Sequence, residues 1–257
     1  MRMPPARNVL ITGASSGIGE ALALECARRG AENLFICGRD ETRLADVARR
    51  CGPCAKTRVL DVADEAATRD WIRECDAAAP LELVFANAGV GTGRETEENV
   101  RRTFATNLGG VLNVALPLID LYRARGAGRR QLVLTASIAG YAPLATCPSY
   151  AGSKAAVKNW GLSLRANLRG EGIKVSVVCP GFVRSRITDK NTCPMPFFME
   201  ADAAARTILS RVDRDVGLIA FPWQMRLATW ALSICPWRIA ETISRMLPAK
   251  NAESRHS

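Results

Sequence analysis

The stretch Asn8-Val-Leu-Ile-Thr12-Gly13-Ala14-Ser15-Ser16-Gly17-Ile18-Gly19 passes from an apolar run through a glycine-rich turn into helical periodicity. A strand that ends in such a turn and opens a helix lets bare backbone approach a pyrophosphate. The phosphate charge then meets the N–H groups at the helix start. The glycines stand as G-x-x-x-G-x-G, a spacing distinct from the G-x-G-x-x-G of other dinucleotide folds. Strand, turn and helix in this order predict an α/β protein that holds a dinucleotide.

Outward from that turn the chain keeps alternating. Strands are expected at 8–12, 33–37, 58–60, 81–86, 131–136, 174–178 and 216–220. Helices are expected at 20–29, 41–50, 66–75, 97–121 and 201–211, with another opening at Tyr150. Strands alternating with helices imply a parallel sheet. At 257 residues, 48% hydrophobic and 23% charged, the chain can bury a sizeable core as one α/β unit. We expect that unit at 1–221 and an amphipathic helical extension at 222–257.

Composition removes several functions. The single His, His256, forbids a His-based triad, so any general base must be Tyr, Lys, Asp, Glu or Cys. The same scarcity argues against zinc, and no metal site is expected. Nine cysteines, scattered at positions such as Cys26, Cys37, Cys75 and Cys179, read as small buried hydrophobes in a reducing compartment. Cys51-Gly-Pro-Cys54 imitates a redox motif, but it follows a helix and precedes a strand, where no helix N-terminus would activate a thiol. The formal charge of +10 comes without a long Lys/Arg block or a basic helix interleaved with aromatics, so no nucleic acid partner is expected. The first apolar run leads directly into glycines, not a signal-peptide core, which predicts a cytoplasmic protein.

Chemistry concentrates between Ser137 and Lys154. The spacing of Tyr150-Ala-Gly-Ser-Lys154 puts a phenol and an ammonium on one helical face, one turn apart. A free Tyr titrates at about 10, and a fixed cation beside it favours the phenolate. That pairing points to acid/base work, with Ser137 sharing a substrate oxygen.

Taken together, these islands resemble the short-chain dehydrogenase/reductases in their compact single-domain branch. They are residues 12–19, Asp61-Val62, Asn87-Ala88-Gly89, Asn107, Ser137 with Tyr150-x-x-x-Lys154, and Pro180-Gly181. The resemblance covers about residues 8 to 221. It implies a doubly wound Rossmann fold with a seven-stranded parallel sheet, a carbonyl/alcohol substrate and a homo-oligomer. By resemblance Tyr150 exchanges the proton, while Lys154 lowers its pKa and bonds the nicotinamide ribose. Ser137 steadies the reacting oxygen, and Asn107 anchors a water in the proton relay.

The cofactor roles also come from the resemblance. They fall to Gly13, Ser15, Ser16, Gly17, Ile18 and Gly19 at the turn, and to Asp61 and Val62 around the adenine. Asn87, Ala88 and Gly89 line the cleft, and Pro180, Gly181, Val183 and Ser185 form the nicotinamide-side clamp. Ser185 departs from the Thr the family more often carries. Strand two ends in Cys37-Gly38-Arg39 and not in an acid, which favours NADP(H) over NAD(H), although Arg39 stacking on adenine suits either.

The loop 187–199, with Cys193-Pro-Met-Pro-Phe-Phe-Met199, falls at the family's substrate loop and suggests a hydrophobic ligand, or equally core packing or an oligomer contact, with Tyr141 and Cys147 lining the pocket by position. The tail repeats apolar residues at Trp223, Leu227, Trp230 and Ile234, then at Trp237, Ile239, Ile243 and Leu247, among Arg226, Arg238 and Arg245. These stripes are too short to span a bilayer. They fit a lipid interface at the inner membrane surface, and equally a dimer contact or a lid on the core.

Three classes of function follow. A hydride-transferring oxidoreductase needs all four catalytic positions, and all are present. An epimerase or dehydratase of this family carries a separate substrate domain, which this chain lacks. A nucleotide-sensing or membrane-associated scaffold would typically have lost Tyr150 or Lys154.

Overall fold

The computed structural model describes residues 3–91, 93–185, 188–189 and 194–246. Seven parallel strands form one sheet in the order β3-β2-β1-β4-β5-β6-β7. In chain order the first half runs β1 (Asn8–Thr12), α1 (Gly17–Arg28), β2 (Asn33–Gly38), α2 (Glu41–Cys51), β3 (Ala55–Val59), α3 (Glu65–Ala78) and β4 (Leu83–Ala86). After α4 (Glu97–Phe104) and a π-helical turn (Ala105–Gly109) come α5 (Gly110–Arg125), β5 (Gln131–Thr135), α6 (Pro148–Asn167) and β6 (Lys174–Pro180). The chain then continues through α7 (Ala201–Val212), β7 (Leu218–Phe221), α8 (Trp223–Ile234) and α9 (Trp237–Met246).

Apart from the edge strand β3, the strands are near-continuous apolar runs because helices cover both sheet faces. On one face Leu22, Leu44 and Ile208 of α1, α2 and α7 pack with Ile11 and Ile36. On the other, Ile72, Leu118 and Val157 of α3, α5 and α6 pack with Leu10 and Val84. Side-chain caps start three of the helices. Asp40 accepts from the Arg43 N–H at 3.0 Å, Asp64 from Ala67 at 3.0 Å, and Thr96 from Asn99 at 3.3 Å. The stretch Glu97–Arg125 is long and apolar enough to cross a membrane, yet Val111, Val114, Leu118 and Tyr122 are buried in the core.

Every expected strand and helix is present, with shifted edges. The helix after the glycine turn begins at Gly17, not at residue 20, so the turn itself supplies its first residues. Strand three lies at Ala55–Val59, where it is held by β2 and largely exposed, so its apolar pattern is weak. The long fourth helix widens to π geometry at Asn107. β1 lies between β2 and β4, so the chain reverses its winding there, the position where open α/β sheets bind ligands beyond their strand ends.

Candidate active site

The carboxyl ends of β1, β4, β5 and β6 converge on one set of buried polar groups. Thr12, the last residue of β1, accepts from the backbone N–H groups of Asn87 (3.0 Å) and Ala88 (3.1 Å) and donates to the Phe85 carbonyl at 3.3 Å. The Asn87 amide returns a bond to the Thr12 carbonyl at 3.1 Å, and its oxygen accepts from Thr135 Oγ1 at 3.3 Å. The β4 exit is thus locked to both neighbouring strands.

Lys154 enters from α6. Its side chain is buried, and Nζ donates to the Thr135 carbonyl at 2.8 Å. Burial lowers the ammonium from its ordinary 10.5 to about 8. Tyr150 lies one turn earlier on the same helix and is half-buried. Glu95 pins the start of that helix, accepting from the Ser149 N–H at 3.0 Å and its hydroxyl at 2.9 Å, a carboxylate at a positive helix end.

Asn107 occupies the centre of the π-helical turn and is fully buried. Its amide clamps residue 90: Val90 N–H donates to Oδ1 at 2.8 Å, and Nδ2 donates to the Val90 carbonyl at 3.0 Å. Nδ2 also reaches Ser153 Oγ at 3.2 Å, joining this helix to α6. Such π turns recur at functional sites because the extra residue re-aims a side chain. Ser137, just past β5, accepts from the Ala139 N–H at 3.1 Å and donates to the Pro180 carbonyl at 3.4 Å, which ties it to the end of β6.

The cradle for a dinucleotide fits what these residues leave open. Gly17 has φ +61°, a conformation costly for any other residue, and an added Cβ there would lie 2.8 Å from Ser185 Cβ. A Cβ at Gly89 would meet Asn107 Oδ1 at 3.2 Å and Lys154 Nζ at 3.3 Å, so a side chain would fill the space beside the ammonium. Ser16 extends ahead of α1 without capping it by its side chain. Gly13, Ser15, Ile18 and Gly19 lie in the same turn, with Ser15 against Gly38.

Beyond β2 and β3, Arg39 Nη1 stands 3.5 Å from Asp61 Oδ2, both side chains partly exposed. Val62 is buried; its carbonyl accepts from Asn113 Nδ2 at 2.8 Å. Val183 is buried and bridges to Met199, and Ser185 N–H donates to Thr188 Oγ1 at 2.8 Å. Residues 187 and 190–193 of the expected substrate loop, Leu247 and the Trp237 side chain lie outside the described residues.

Sequence reasoning did not find Thr12, Thr135, Ser153 or Asn113 as supports. Each is a common polar residue whose only distinguishing mark is its place at a strand end or an inward helix position. The cysteines behave as expected: burial pushes Cys26, Cys37, Cys75 and Cys179 up to about 12 and Cys51 to about 11, so none of these is a thiolate at neutral pH. Among the described residues no group of three His, Cys, Asp or Glu gathers to hold a metal. A cavity of about 680 Å³ lies behind α6, walled by Tyr141, Leu144, Ala155, Lys158 and Ser244, and it does not reach Tyr150 or Lys154. Cys147, expected at the substrate pocket, is buried at the N-cap of α6.

The family model described as short chain dehydrogenase matches residues 7–194. The chain belongs to that family. An uncharacterized oxidoreductase of Myxococcus xanthus is 38% identical over 252 residues, covering 94% of this chain and 97% of that protein. A short-chain dehydrogenase from Sphingobium yanoikuyae, solved in complex with NADPH, superposes with a TM-score of 0.78 at 27% identity, over 98% of this chain and 100% of that one. A 3-ketoacyl-(acyl-carrier-protein) reductase from Brucella melitensis, complexed with NADH, shares the fold at TM-score 0.75 and 23% identity, over 87% of this chain and 99% of that one. As a short chain dehydrogenase, this protein is an NAD(P)-dependent oxidoreductase.

Proposed function

We propose that this short chain dehydrogenase interconverts a carbonyl and an alcohol on a hydrophobic substrate, prefers NADP(H), and uses Tyr150 to move the proton at the substrate oxygen. Residues 1–221 form the catalytic unit and 222–257 an extension of it. The observation that carries this reading is the buried ammonium of Lys154, fixed on the Thr135 carbonyl one helical turn from Tyr150. Tyr150, one turn away on the same helix, offers a hydroxyl that can give a proton to the substrate oxygen or take one from it. Ser137 offers a hydroxyl to the same oxygen and steadies charge as it develops. Asn107 ties its helix to residue 90 and to Ser153 of α6, leaving the lysine oriented. The nicotinamide, when bound, supplies or accepts the hydride. Cys179, near Lys154, is excluded as the base by its burial, which pushes its thiol up to about 12.

The NADP(H) preference rests on Arg39 and on Gly38 standing where an acid would otherwise receive a ribose hydroxyl. Arg39 pairs with Asp61 in an exposed contact, worth about 0–1 kcal/mol, whereas a guanidinium–phosphate bond contributes about 1.5–3 kcal/mol, so a 2′-phosphate outcompetes the carboxylate. The NADPH held by the Sphingobium relative agrees with this. A hydrophobic substrate is supported by the exposed Phe197 and Phe198 beside the nicotinamide-side segment. The test is coenzyme-dependent carbonyl reduction by Tyr150→Phe; turnover retained with coenzyme affinity intact would overturn the assignment.

A further inference from the structure

Helix α9 is turned inside out. The residues it buries are Ala240 and Ser244, whose hydroxyl accepts from the Ala145 N–H at 2.6 Å, while Ile239, Ile243 and Met246 are 51%, 40% and 77% exposed. Helix α8 does the same: Trp223, Leu227, Trp230 and Ile234 are 50–69% exposed, and no residue of the helix is fully buried. Four of these on α8, spaced four, three and four apart, and three on α9, at four and three, make two continuous apolar stripes. Burying a large apolar side chain stabilises by about 1.5–3 kcal/mol, so seven left in water on two adjoining helices mark a surface built to be covered.

We propose that this outer face docks the enzyme on an anionic lipid surface. Charge decides between a bilayer and a second copy. Arg226, Arg238 and Arg245 are exposed on the same two helices, against the single carboxylate of Glu241. A two-fold contact through this face would set one arginine group against its own copy, since the same patch serves both partners. Anionic headgroups would pair those guanidiniums instead, while the indoles of Trp223 and Trp230 sit at the headgroup level and the aliphatic side chains enter the acyl boundary. Helices of 12 and 10 residues lie on a bilayer; they cannot cross it.

The inner sides of the same helices touch the site. A Cβ at Gly181 would lie 2.9 Å from Met225 Sδ, and Ser244 holds the segment after Ser137 through Ala145. Lipid therefore lies behind the wall of the nicotinamide-side clamp, where a hydrophobic substrate dissolved in it has a short path.

Sedimentation of the full chain with vesicles tests the docking without any turnover, so it stands or falls apart from the role of Tyr150. Vesicles of phosphatidylglycerol and phosphatidylcholine should pellet the protein at low salt, with a blue-shifted tryptophan emission, and pure phosphatidylcholine at least tenfold less. Leu227→Glu and Ile243→Glu should each weaken pelleting at least tenfold with NADPH binding, melting temperature and solution mass unchanged. No pelleting and no emission shift with the unaltered protein would overturn the proposal. So would pelleting that both substitutions leave intact, or substitutions that halve the solution mass, which would assign the face to a second copy.

Discussion

Helix α6, on the sheet face over β5 and β6, and the pair α8–α9 break the rule of apolar inside and polar outside in opposite directions. At α6 the chain buries Ser149, Ser153 and Lys154. At α8 and α9 it exposes indoles and branched aliphatics. The first departure is matched bond by bond: Lys154 has the Thr135 carbonyl, Ser153 has Asn107 and the Tyr150 carbonyl, and Ser149 has Glu95. The second has no internal match. Satisfied polar burial shapes a site for a small molecule, whereas unsatisfied apolar exposure prepares a surface for something outside the chain.

The largest expected effect removes one atom from the α6 side. Tyr150→Phe should lower turnover by about 10²–10⁴-fold, the usual contribution of a positioned acid or base, with little change in melting because the ring stays. A loss below tenfold would put the proton elsewhere and leave the buried lysine without a function.

Lys154→Met sharpens the comparison through pH. The folded value of about 8 lies below the ordinary 10.5, so between those limits the unfolded chain binds more protons than the folded one. Stability therefore rises with pH across that window, and the penalty of the buried cation is fully present below pH 8. The depression corresponds to about 3 kcal/mol, offset in part by the bond to Thr135. Chemical denaturation of the coenzyme-free protein should show Lys154→Met matching or exceeding the parent in stability at pH 7, and losing ground to it as pH approaches 10. A difference that is flat from pH 7 to 10 would mean the ammonium is not desolvated. The same variant should lose both turnover and coenzyme affinity, because one cation serves the phenol and the ribose.

Much of this was legible in the residues. The turn at 12–19 and the pair Tyr150 and Lys154 announce themselves because chemistry restricts what can stand there: glycine where φ is positive, a cation one turn from a phenol. The supports are silent for the opposite reason. Thr12 and Thr135 are ordinary strand residues by propensity, and only the sheet order β1-β4-β5 brings them to either side of Asn87. The π turn at Asn107 is equally hidden, since a widened helix keeps nearly the same apolar period. In the tail the stripe was visible but its direction was not; periodicity locates an apolar face without saying whether the core or the solvent receives it.

Arg39→Ala tests the adenine side of the site. It should reduce the preference for NADPH over NADH by about ten- to a hundredfold, the worth of one charge-assisted contact, while NADH affinity changes little. Titration of both coenzymes by nicotinamide fluorescence reads this. Equal affinities in the unaltered protein would show that Arg39 stays with Asp61 or stacks on the adenine.

The smallest effect bears most directly on the comparison. Ile72, fully buried between α3 and the sheet, should lose about 2–5 kcal/mol on Ile72→Ala, from lost transfer energy and the cavity left behind. Ile243 carries the same side chain 40% exposed on α9, and Ile243→Ala should change the unfolding free energy by no more than about 0.5 kcal/mol. The two substitutions delete identical atoms, so the ratio reports only what surrounds them. If Ile243→Ala cost more than about 2 kcal/mol in dilute solution without lipid, the outer face of α9 would already be covered by protein. The contrast between a site that satisfies its departures internally and a surface that waits for a partner would then collapse into two ordinary packing interfaces.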